Sequence, residues 1–566
     1  MTTNKEIARL LKETAALIEI TGGNVFRARA FASASRAIGR LEKEVATLTA
    51  NDSLEELPGI GTGLAAQIGE ILERGSFDLY EELLSAIPPG LPDILRIKGL
   101  GAKKVRRLWQ ELDITSVEEL EQVATSGRLA DLSGFGPKIQ ATILKNIRLL
   151  KQYEGRRRYD QALTEALHCL EAIRGIDEIL EAHLAGGLRR SLDTVDRIVI
   201  VAVAADPEQA CRALAGWWTA LEKDAGKEHI LLTALPDGFP LRIHVTTPEQ
   251  YGATLWKATG SQAHVAAVRN RFNLPAEAHS EHALFEAAGI PFIDPAVREN
   301  TGEIEAAAQN ELPDLIEYED IRGTLHNHST WSDGMHTLRQ MIDAAYARGY
   351  SYYGVCDHSQ SLVIANGLSI EQVHEQQKEI RELNQAYGND FRIFSGTECD
   401  ILADGSLDYP DDVLASFDLV VAAIHTRFEM SEKEATERLI RAIENPYTMI
   451  LAHPTGRLLL RREGYPIHHE KVIDACAANG VALELNANPY RLDLDWRWIR
   501  HATERGVIIS INPDAHAIDQ LDYMKLGVSI ARKGWLTPEQ CLNAKGLDEF
   551  SSWLDRKRSR HSYETI

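Results

Sequence analysis

Cysteine is scarce in this chain of 566 residues. The six cysteines (Cys169, Cys211, Cys356, Cys399, Cys476 and Cys541) are scattered, with no pair at C-x-x-C spacing. That excludes a disulfide framework and a zinc-ribbon site. Cys356 and Cys399 read as small buried apolar residues. Long hydrophobic runs are missing too: no stretch approaches the length of a membrane span. The start, Met1-Thr2-Thr3-Asn4-Lys5-Glu6, lacks a signal-peptide pattern. The expectation is a cytoplasmic, multidomain protein with no membrane partner. Positive charge is also in deficit, with 61 Lys+Arg against 83 Asp+Glu and a net charge of −22. Taken whole, that balance argues against a nucleic-acid partner. Its distribution argues otherwise. Residues 1–160 hold 23 Lys+Arg and 22 Asp+Glu, about +1, so the remainder carries about −23. Contact with nucleic acid is therefore to be sought in the first third.

What is abundant is a repeated ending. In the C-terminal part, short apolar runs close again and again on His, Asp or Glu. Leu325 precedes His326-Asn327-His328, Tyr353 to Cys356 precede Asp357-His358, and Ile393 to Thr397 precede Glu398. Val420 to Ile424 precede His425, Ile450 to Ala452 precede His453, and Ile508 to Ile511 precede Asp514 and His516. An apolar strand ending in an imidazole or carboxylate places a metal ligand at the mouth of a sheet, and this repetition points to a polynuclear metal site. His326 and His328, two apart, share one face of a strand, as do Asp514 and His516. Imidazoles mixed with carboxylates suit zinc, manganese or iron, and a carboxylate can bridge two ions. With Val481 to Leu485 the apolar runs number seven, separated by helix-like stretches such as 338–348 and 369–387. Alternating strands and helices, with ligands at strand ends, predict a parallel barrel whose site lies on its C-terminal face.

The first third carries one small motif three times: Leu57-Pro58-Gly59-Ile60-Gly61, Ile97-Lys98-Gly99-Leu100-Gly101 and Leu132-Ser133-Gly134-Phe135-Gly136. Each stands between two helical stretches. The glycines let the backbone approach a phosphate, and the helix that follows presents free N–H groups to it. Lys103, Lys104, Arg106 and Arg107 after the second copy, and Lys138 after the third, add charge for sequence-independent phosphate contact. The first copy lacks such residues and is the weakest as a phosphate site. The three copies resemble the helix-hairpin-helix motif, which implies DNA binding.

A more specific resemblance covers residues 318 to 555. His326-Asn327-His328-Ser329-Thr330-Trp331-Ser332-Asp333-Gly334, Asp357-His358-Ser359, Glu398-Cys399-Asp400-Ile401-Leu402, His453-Pro454-Thr455-Gly456-Arg457 and Asp514-Ala515-His516 are similar to the motifs of the PHP (polymerase and histidinol phosphatase) family. That family's fold is a distorted seven-stranded β/α barrel holding three metal ions. Carried over by position, the resemblance gives one ion to His326, His328, Glu398 and Asp514. A second falls to Asp333, His358 and His516, and a third to Glu398, His425 and His453. It implies two to three divalent ions, in manganese, zinc or iron. Arg457, four residues after His453, is expected to clamp a phosphate bidentately or to pair with a ligand carboxylate. Asp400, Asp404 and Asp408 read as loop structure.

The helical start, the hairpins, Ala185-Gly186-Gly187-Leu188-Arg189-Arg190, Pro248 to Ala253 and the turn Ala258-Thr259-Gly260-Ser261 resemble a family X DNA polymerase, of the bacterial type that ends in a PHP domain. This resemblance spans essentially the whole chain. It implies a helical lyase-like domain over 1–80, a fingers-like hairpin domain over 81–155, an α+β palm over 156–230, a thumb-like domain over 231–310 and the PHP barrel over 311–566.

The departures from that family are chemical. Its palm holds two magnesium ions on three carboxylates for in-line phosphoryl transfer. Those positions fall here on Arg197, Val199 and Arg242. A guanidinium has no lone pair to offer and stays charged, so no magnesium pair is expected in the palm. Asp196 is displaced by one residue and on a strand would face the other way. The serine of the phosphate-binding turn is Gly187, the aromatic pair beside the incoming sugar is Lys257-Ala258, and the asparagine beyond the turn is Val265. The lysine that would form a Schiff base with an abasic sugar is Gln67, and a helper lysine is Gly63; that chemistry needs an amine. The sequence therefore predicts a metal-dependent phosphoesterase acting on gapped or primer-terminus DNA, as a 3′–5′ exonuclease or abasic-site endonuclease in repair, with a polymerase half that holds DNA without copying it. Two alternatives stay open: an active polymerase whose palm aligns differently, and a PHP phosphatase acting on a small molecule.

Overall fold

Amphipathic helices account for the start of the chain. In the computed structural model, which describes residues 4–39, 41, 45–50, 54–57, 59–217, 222–223 and 229–564, the chain divides into two units, Met1–Glu154 and Gly155–Ile566. Met1 to Thr3 and Pro58 of the first hairpin motif lie outside the described residues. In the first unit, helix Asn4–Thr21 packs Ile7, Leu11 and Ile18 against Ala28, Phe31 and Ile38 of helix Val25–Ile38. Asn24 starts the second of these by accepting the backbone N–H groups of Phe26 and Arg27, the role of an N-cap carboxamide. A second cluster gathers Leu91, Val105, Leu108, Leu120, Phe135 and Ile143 beneath the two later hairpins.

The second unit begins with helix Tyr159–Arg174 against a mixed sheet in the order Glu181–Leu184, Ile198–Val203, Pro240–Thr246, Ile230–Ala234, Glu222–Lys223. Strand Ile198–Val203 is buried throughout and runs parallel to Pro240–Thr246; the other pairings are antiparallel. Its even positions, Ile198, Ile200 and Ala202, meet Ala162, Ala166 and Ile173 of the helix. Its odd positions, Val199 and Val201, join Ala185 and Leu255 on the opposite face. Helices Tyr251–Thr259, Gln262–Arg271, Glu281–Ala287 and Glu303–Gln309 then enclose Trp256, Leu284, Phe285 and Ile293.

The rest of the chain closes a barrel. Strands Gly396–Asp400, Leu419–Ala423, Ile450–Leu451, Ala482–Asn486 and Ile509–Asn512 pair in sequential order, all parallel. Gly323–Thr324 and Arg392–Phe394 flank Tyr352–Gly354, also in parallel. Bridges Asn327↔Ala515 and His358↔Glu398 join these two arcs. Arg392–Phe394 and Gly396–Asp400 are one strand interrupted at Ser395, so the described ring has seven strands. Strands such as Leu419–Ala423, apolar throughout, are buried on both sides by the interior and the outer helices. Capping boxes at Thr337/Gln340, Ser369/Gln372 and Ser431/Glu434 start three of those helices, which turns the chain promptly after its strands.

Candidate metal centre

The eight ligands read from strand endings, and Asp333, which the family resemblance adds, come together at the C-terminal mouth of the barrel. The ligand atoms of eight of these side chains form three overlapping groups, each within 4.8 Å: His326, His328 and Asp514; His328, Asp333, His358 and His516; and His358, Glu398 and His425. His453 stands in none of the three and reaches the centre through Glu398. Glu398 is central. Its oxygens lie 2.8 Å from His453 Nε2, 3.1 Å from His425 Nε2, 2.9 Å from His358 Nδ1 and 3.5 Å from His326 Nε2. The imidazoles of His328 and His358 stand between neighbouring groups, where the expected partition gave each to one ion. The centre is buried except on one side, where the Asp333 and His516 side chains are 33% and 27% exposed. Two of its residues adopt left-handed backbone, His453 at φ 24° and Asp514 at φ 53°. Such strain persists where the surroundings over-determine it; Glu484 accepts the His453 N–H at 2.8 Å.

A ring of acceptors behind the imidazoles orients them. Glu484 bonds His326 Nδ1 at 2.7 Å and takes the Asn512 amide at 3.0 Å, and Asp400 bonds His425 Nδ1. This leaves the Nε2 atoms turned inward, the arrangement found behind metal-bound histidines. Asp357 accepts from Ser329, Ser332 and Gln376 and so holds the loop that carries Asp333. The sequence does not single out Glu484, which lies in the middle of strand Ala482–Asn486 rather than at an apolar run's end.

The electrostatics fit divalent cations. Burial opposes charge on His326, yet Glu484, Glu398 and Asp514 outweigh it and hold the imidazole well above its ordinary value. Burial likewise opposes charge on His425 and His516. Glu398 and Asp400 raise the first to about 10, and Asp333 and Asp514 raise the second to about 9. His328, buried and beside His516 and His358, is pushed down to about 3. Burial alone would raise Glu398 and Asp514; the surrounding imidazoles keep both well below the usual carboxylate range. His326 Nε2, His328 Nδ1, His358 Nδ1 and His453 Nδ1 are buried without hydrogen-bond partners. Two of these nitrogens, His326 Nε2 and His358 Nδ1, face Glu398 oxygens at 3.5 Å and 2.9 Å, and such a set of imidazoles and carboxylates suits divalent metal ions.

The structure redirects the expectation for Arg457. Its Nε donates to Arg491 O at 3.0 Å, one terminal nitrogen to Asp495 at 2.6 Å, and the other to Leu492 O while lying 3.5 Å from Asp193. Its fork is turned to carbonyls and to carboxylates outside the ligand set, so it braces the loop and faces away from the expected role of clamping a phosphate. Arg491 is the cation at the centre instead. Its Nε lies 3.5 Å from Asp514 Oδ2, and its charge contributes to the lowered pKa of His453 after burial. Asp404 caps its own turn through Ser406, and Asp408 accepts the Ser361 N–H, both loop roles as expected.

The segment expected to form a palm turns an apolar surface to one side of its sheet. Val199 and Arg242 are register partners on parallel strands and so face the same side. Val199 lies in the apolar cluster with Ala185, Val201 and Leu255, and Arg242 Nε is buried without a hydrogen-bond partner. Arg197, at the bend before the strand, pairs with exposed Asp196 at 3.1 Å. Asp206, the other carboxylate in reach of this strand, accepts the N–H groups of Glu208 and Gln209 at the start of the next helix. At Gly187 a Cβ would lie 2.9 Å from Val195 and 3.0 Å from Leu192, so a serine there would require those side chains to shift. Arg189 and Arg190 are committed to buried ion pairs with Glu281 and Glu299.

The hairpins keep the geometry their sequence implies. Gly59, Gly99 and Gly134 have φ of 89°, 94° and 83°, a region open mainly to glycine. Gly61, Gly101 and Gly136 cap helices Thr62–Arg74, Ala102–Leu112 and Pro137–Tyr153 without a side-chain hydrogen bond. A Cβ on any of these three would meet nothing within 4 Å; the space outside them is open to a ligand. Lys103 is exposed, and Lys104 donates to Gly99 O at 3.0 Å. Arg106 donates to Gln110 Oε1 at 3.2 Å. Arg107 is partly spent internally, on Glu111 and on Ser133 O at 2.6 Å. Lys138 stands in the first turn after the third hairpin, and Gln67 sits half-buried on helix Thr62–Arg74.

Fold and site together define a polymerase-like body joined to a barrel with a His-and-carboxylate centre. Residues 2–77 match the family described as "Helix-hairpin-helix domain", and residues 91–148 the "SAM-like Helix-hairpin-helix tandem". The "DNA polymerase/3'-5' exonuclease PolX" of Bacillus subtilis (strain 168) is 36% identical over 572 residues, covering 98% of this chain and 99% of its own. The C-terminal region resembles phosphatases. A probable phosphatase of Thermoanaerobacter sp. (strain X514) is 28% identical over 178 residues, 30% of this chain and 70% of its own, and one of Acetivibrio thermocellus is 25% identical over 244 residues, 42% and 95%. The chain belongs to the bacterial family X DNA polymerases that carry a C-terminal PHP domain.

Proposed function

We propose that this protein is a metal-dependent phosphodiesterase that shortens DNA from its 3′ end or incises it at abasic sites during cytoplasmic DNA repair, and that its palm no longer copies DNA. The carrying observation is the convergence of His326, His328, Asp333, His358, Glu398, His425, His453, Asp514 and His516 at one mouth. The loss of copying is supported by Val199 and Arg242, side by side on parallel strands, at positions where the family resemblance expects carboxylates. Manganese, zinc or iron held by those nine residues would polarise a phosphoryl oxygen and activate water. Asp333 and His516 line the entrance, Glu484 and Asp400 fix the imidazoles that face it, and Arg491 neutralises charge gathering on the phosphoryl oxygens. Gly59, Gly61, Gly99, Gly101, Gly134 and Gly136 bring backbone N–H groups to the sugar-phosphate chain, with Lys103, Lys104, Arg106 and Lys138 adding charge. The five-part division from lyase-like domain to barrel gives each of these tasks its own segment.

The test is a gapped, 5′-labelled primer incubated with the purified protein and manganese, with and without nucleotides. Shortening without extension, lost in His358→Ala, is the expected result. Hydrolysis of p-nitrophenyl phosphate with no change in the primer would favour a small-molecule phosphatase instead.

A further inference from the structure

The open side of the metal centre carries an apolar rim with no structural partner. Eight large hydrophobic side chains are exposed among the described residues, and three of them are here: Met335 at 54%, Val363 at 79% and Ile364 at 94%. Both rim segments are pinned to ligand backbone. The Met335 N–H donates to His516 O at 2.7 Å, and the Leu368 N–H to His358 O at 2.9 Å. Asn366 joins the segments, its side-chain amide 3.3 Å from the carbonyl of Ser332, next to Asp333. Ser361 anchors the other shoulder on Asp408 and Asp400. The loop is pinched shut at Gly367, where a Cβ would stand 1.8 Å from Ser359 O. Its tip is therefore held out in water by a tightly bonded base. Residues 359–367, Ser-Gln-Ser-Leu-Val-Ile-Ala-Asn-Gly, hold no charge in a chain that is 25% charged.

We propose that Met335, Val363 and Ile364 form an apolar wedge that parts the terminal base pair of duplex DNA, so that one 3′ end enters the centre unpaired. The inference rests on the nuclease reading above. The centre is buried except at Asp333 and His516, so a phosphodiester reaching it must leave the surface of the helix. Cations meet phosphates, whereas apolar side chains meet bases. Protruding Ile, Leu and Met side chains inserted between base steps unstack them, and a rigid base lets them do so without first being ordered.

The test compares wild type with V363S/I364S and M335S, all full-length and manganese-loaded. The substrates are a blunt duplex, the same strand alone, and a duplex with mismatched terminal pairs. Removing the wedge should slow the blunt duplex about tenfold or more while single-strand and mismatched ends stay within about twofold. Equal metal content in all variants shows that the centre is intact. A terminal 2-aminopurine in the duplex should brighten on binding His358→Ala protein, and fail to brighten when V363S/I364S is added to it. Equal slowing of all three substrates, slowing of none, or unchanged brightening overturns the wedge; the second result would mark the rim as a surface for something other than DNA. If wild type shortens no substrate, the nuclease reading fails, and the 2-aminopurine signal still decides the wedge.

Discussion

Arg491 and Arg457 are both arginines of the barrel mouth, but they are wired to different ends. Arg457 is filled by Asp495, Asp193 and two carbonyls, whereas Arg491 shows its charge to Asp514 and His453. Replacing Arg491 with Gln should cut turnover on DNA about a hundredfold, the loss expected when one donor to a developing oxyanion is removed, with metal content unchanged by elemental analysis. Arg457→Gln leaves Asp495 to Arg497 alone and removes the bonds to Arg491 O and Leu492 O, which should lower unfolding stability by about 1–2 kcal/mol in denaturant titration. Metal loading has its own signature. His425 and His516 hold protons up to about 10 and about 9, so near neutral pH an entering cation must displace them. Loading should therefore release protons, and affinity should rise with pH until those values are passed. Calorimetry of chelator-stripped protein in buffers of different ionisation enthalpy measures that release; an enthalpy independent of buffer would refute it.

At the scale of elements, the hairpins divide their basic residues into two uses. Lys103 and Lys138 follow their glycine turns and face outward, while Arg107 reaches across to Ser133 of the third hairpin. Neutralising Lys103 and Lys138 should weaken DNA binding for every sequence and reduce the slope of log K against log salt by about 0.7–0.9 for each phosphate left without its lysine. Arg107→Ala should lower thermal stability as well, and an unchanged melting temperature would return Arg107 to phosphate binding alone. Such bridging is invisible in sequence, because Arg107 looks like its neighbours until the third hairpin is folded beside it. The barrel was more legible. Parallel strands buried on both faces must be written as apolar runs, and a ligand that closes a run is conspicuous. Arg457 misled for the opposite reason: its partners Asp193 and Asp495 lie far away in sequence, and proximity to His453 stood in for direction. Arg491 sits in a loop without periodicity, and its only available signal was its place after a strand ending, beyond Glu484 and Asn486.

Across the second unit, the polymerase-like half is held by charges that would otherwise be free to act. Arg189 and Arg298 share Glu281, Arg190 and Lys533 share Glu299, and Arg457 of the barrel meets Asp193 of the palm. Arg189 and Arg190 are thus spent on joining the sheet that opens the second unit to the segment around Glu281 and Glu299, and through Lys533 to the barrel. What remains on the palm face is an apolar cluster at Val199 and a guanidinium, Arg242, whose Nε has no partner. Restoring Asp at all three positions, as Arg197→Asp, Val199→Asp and Arg242→Asp, should therefore fail twice. The Val199→Asp change would bury a carboxylate among Ala185, Val201 and Leu255, which should destabilise the unit by about 2–4 kcal/mol. The phosphate turn would still lack a serine and the nucleotide pocket its side chains, because Gly187, Lys257, Ala258 and Val265 are unchanged in that variant. Primer extension with magnesium and with manganese decides this, in a His358→Ala background that silences degradation. No incorporation is expected from that protein or from the triple variant. Template-dependent incorporation by the former would mean that Asp196 or Asp206 leaves its present partner to hold metal, and the palm would have to be counted as a working polymerase.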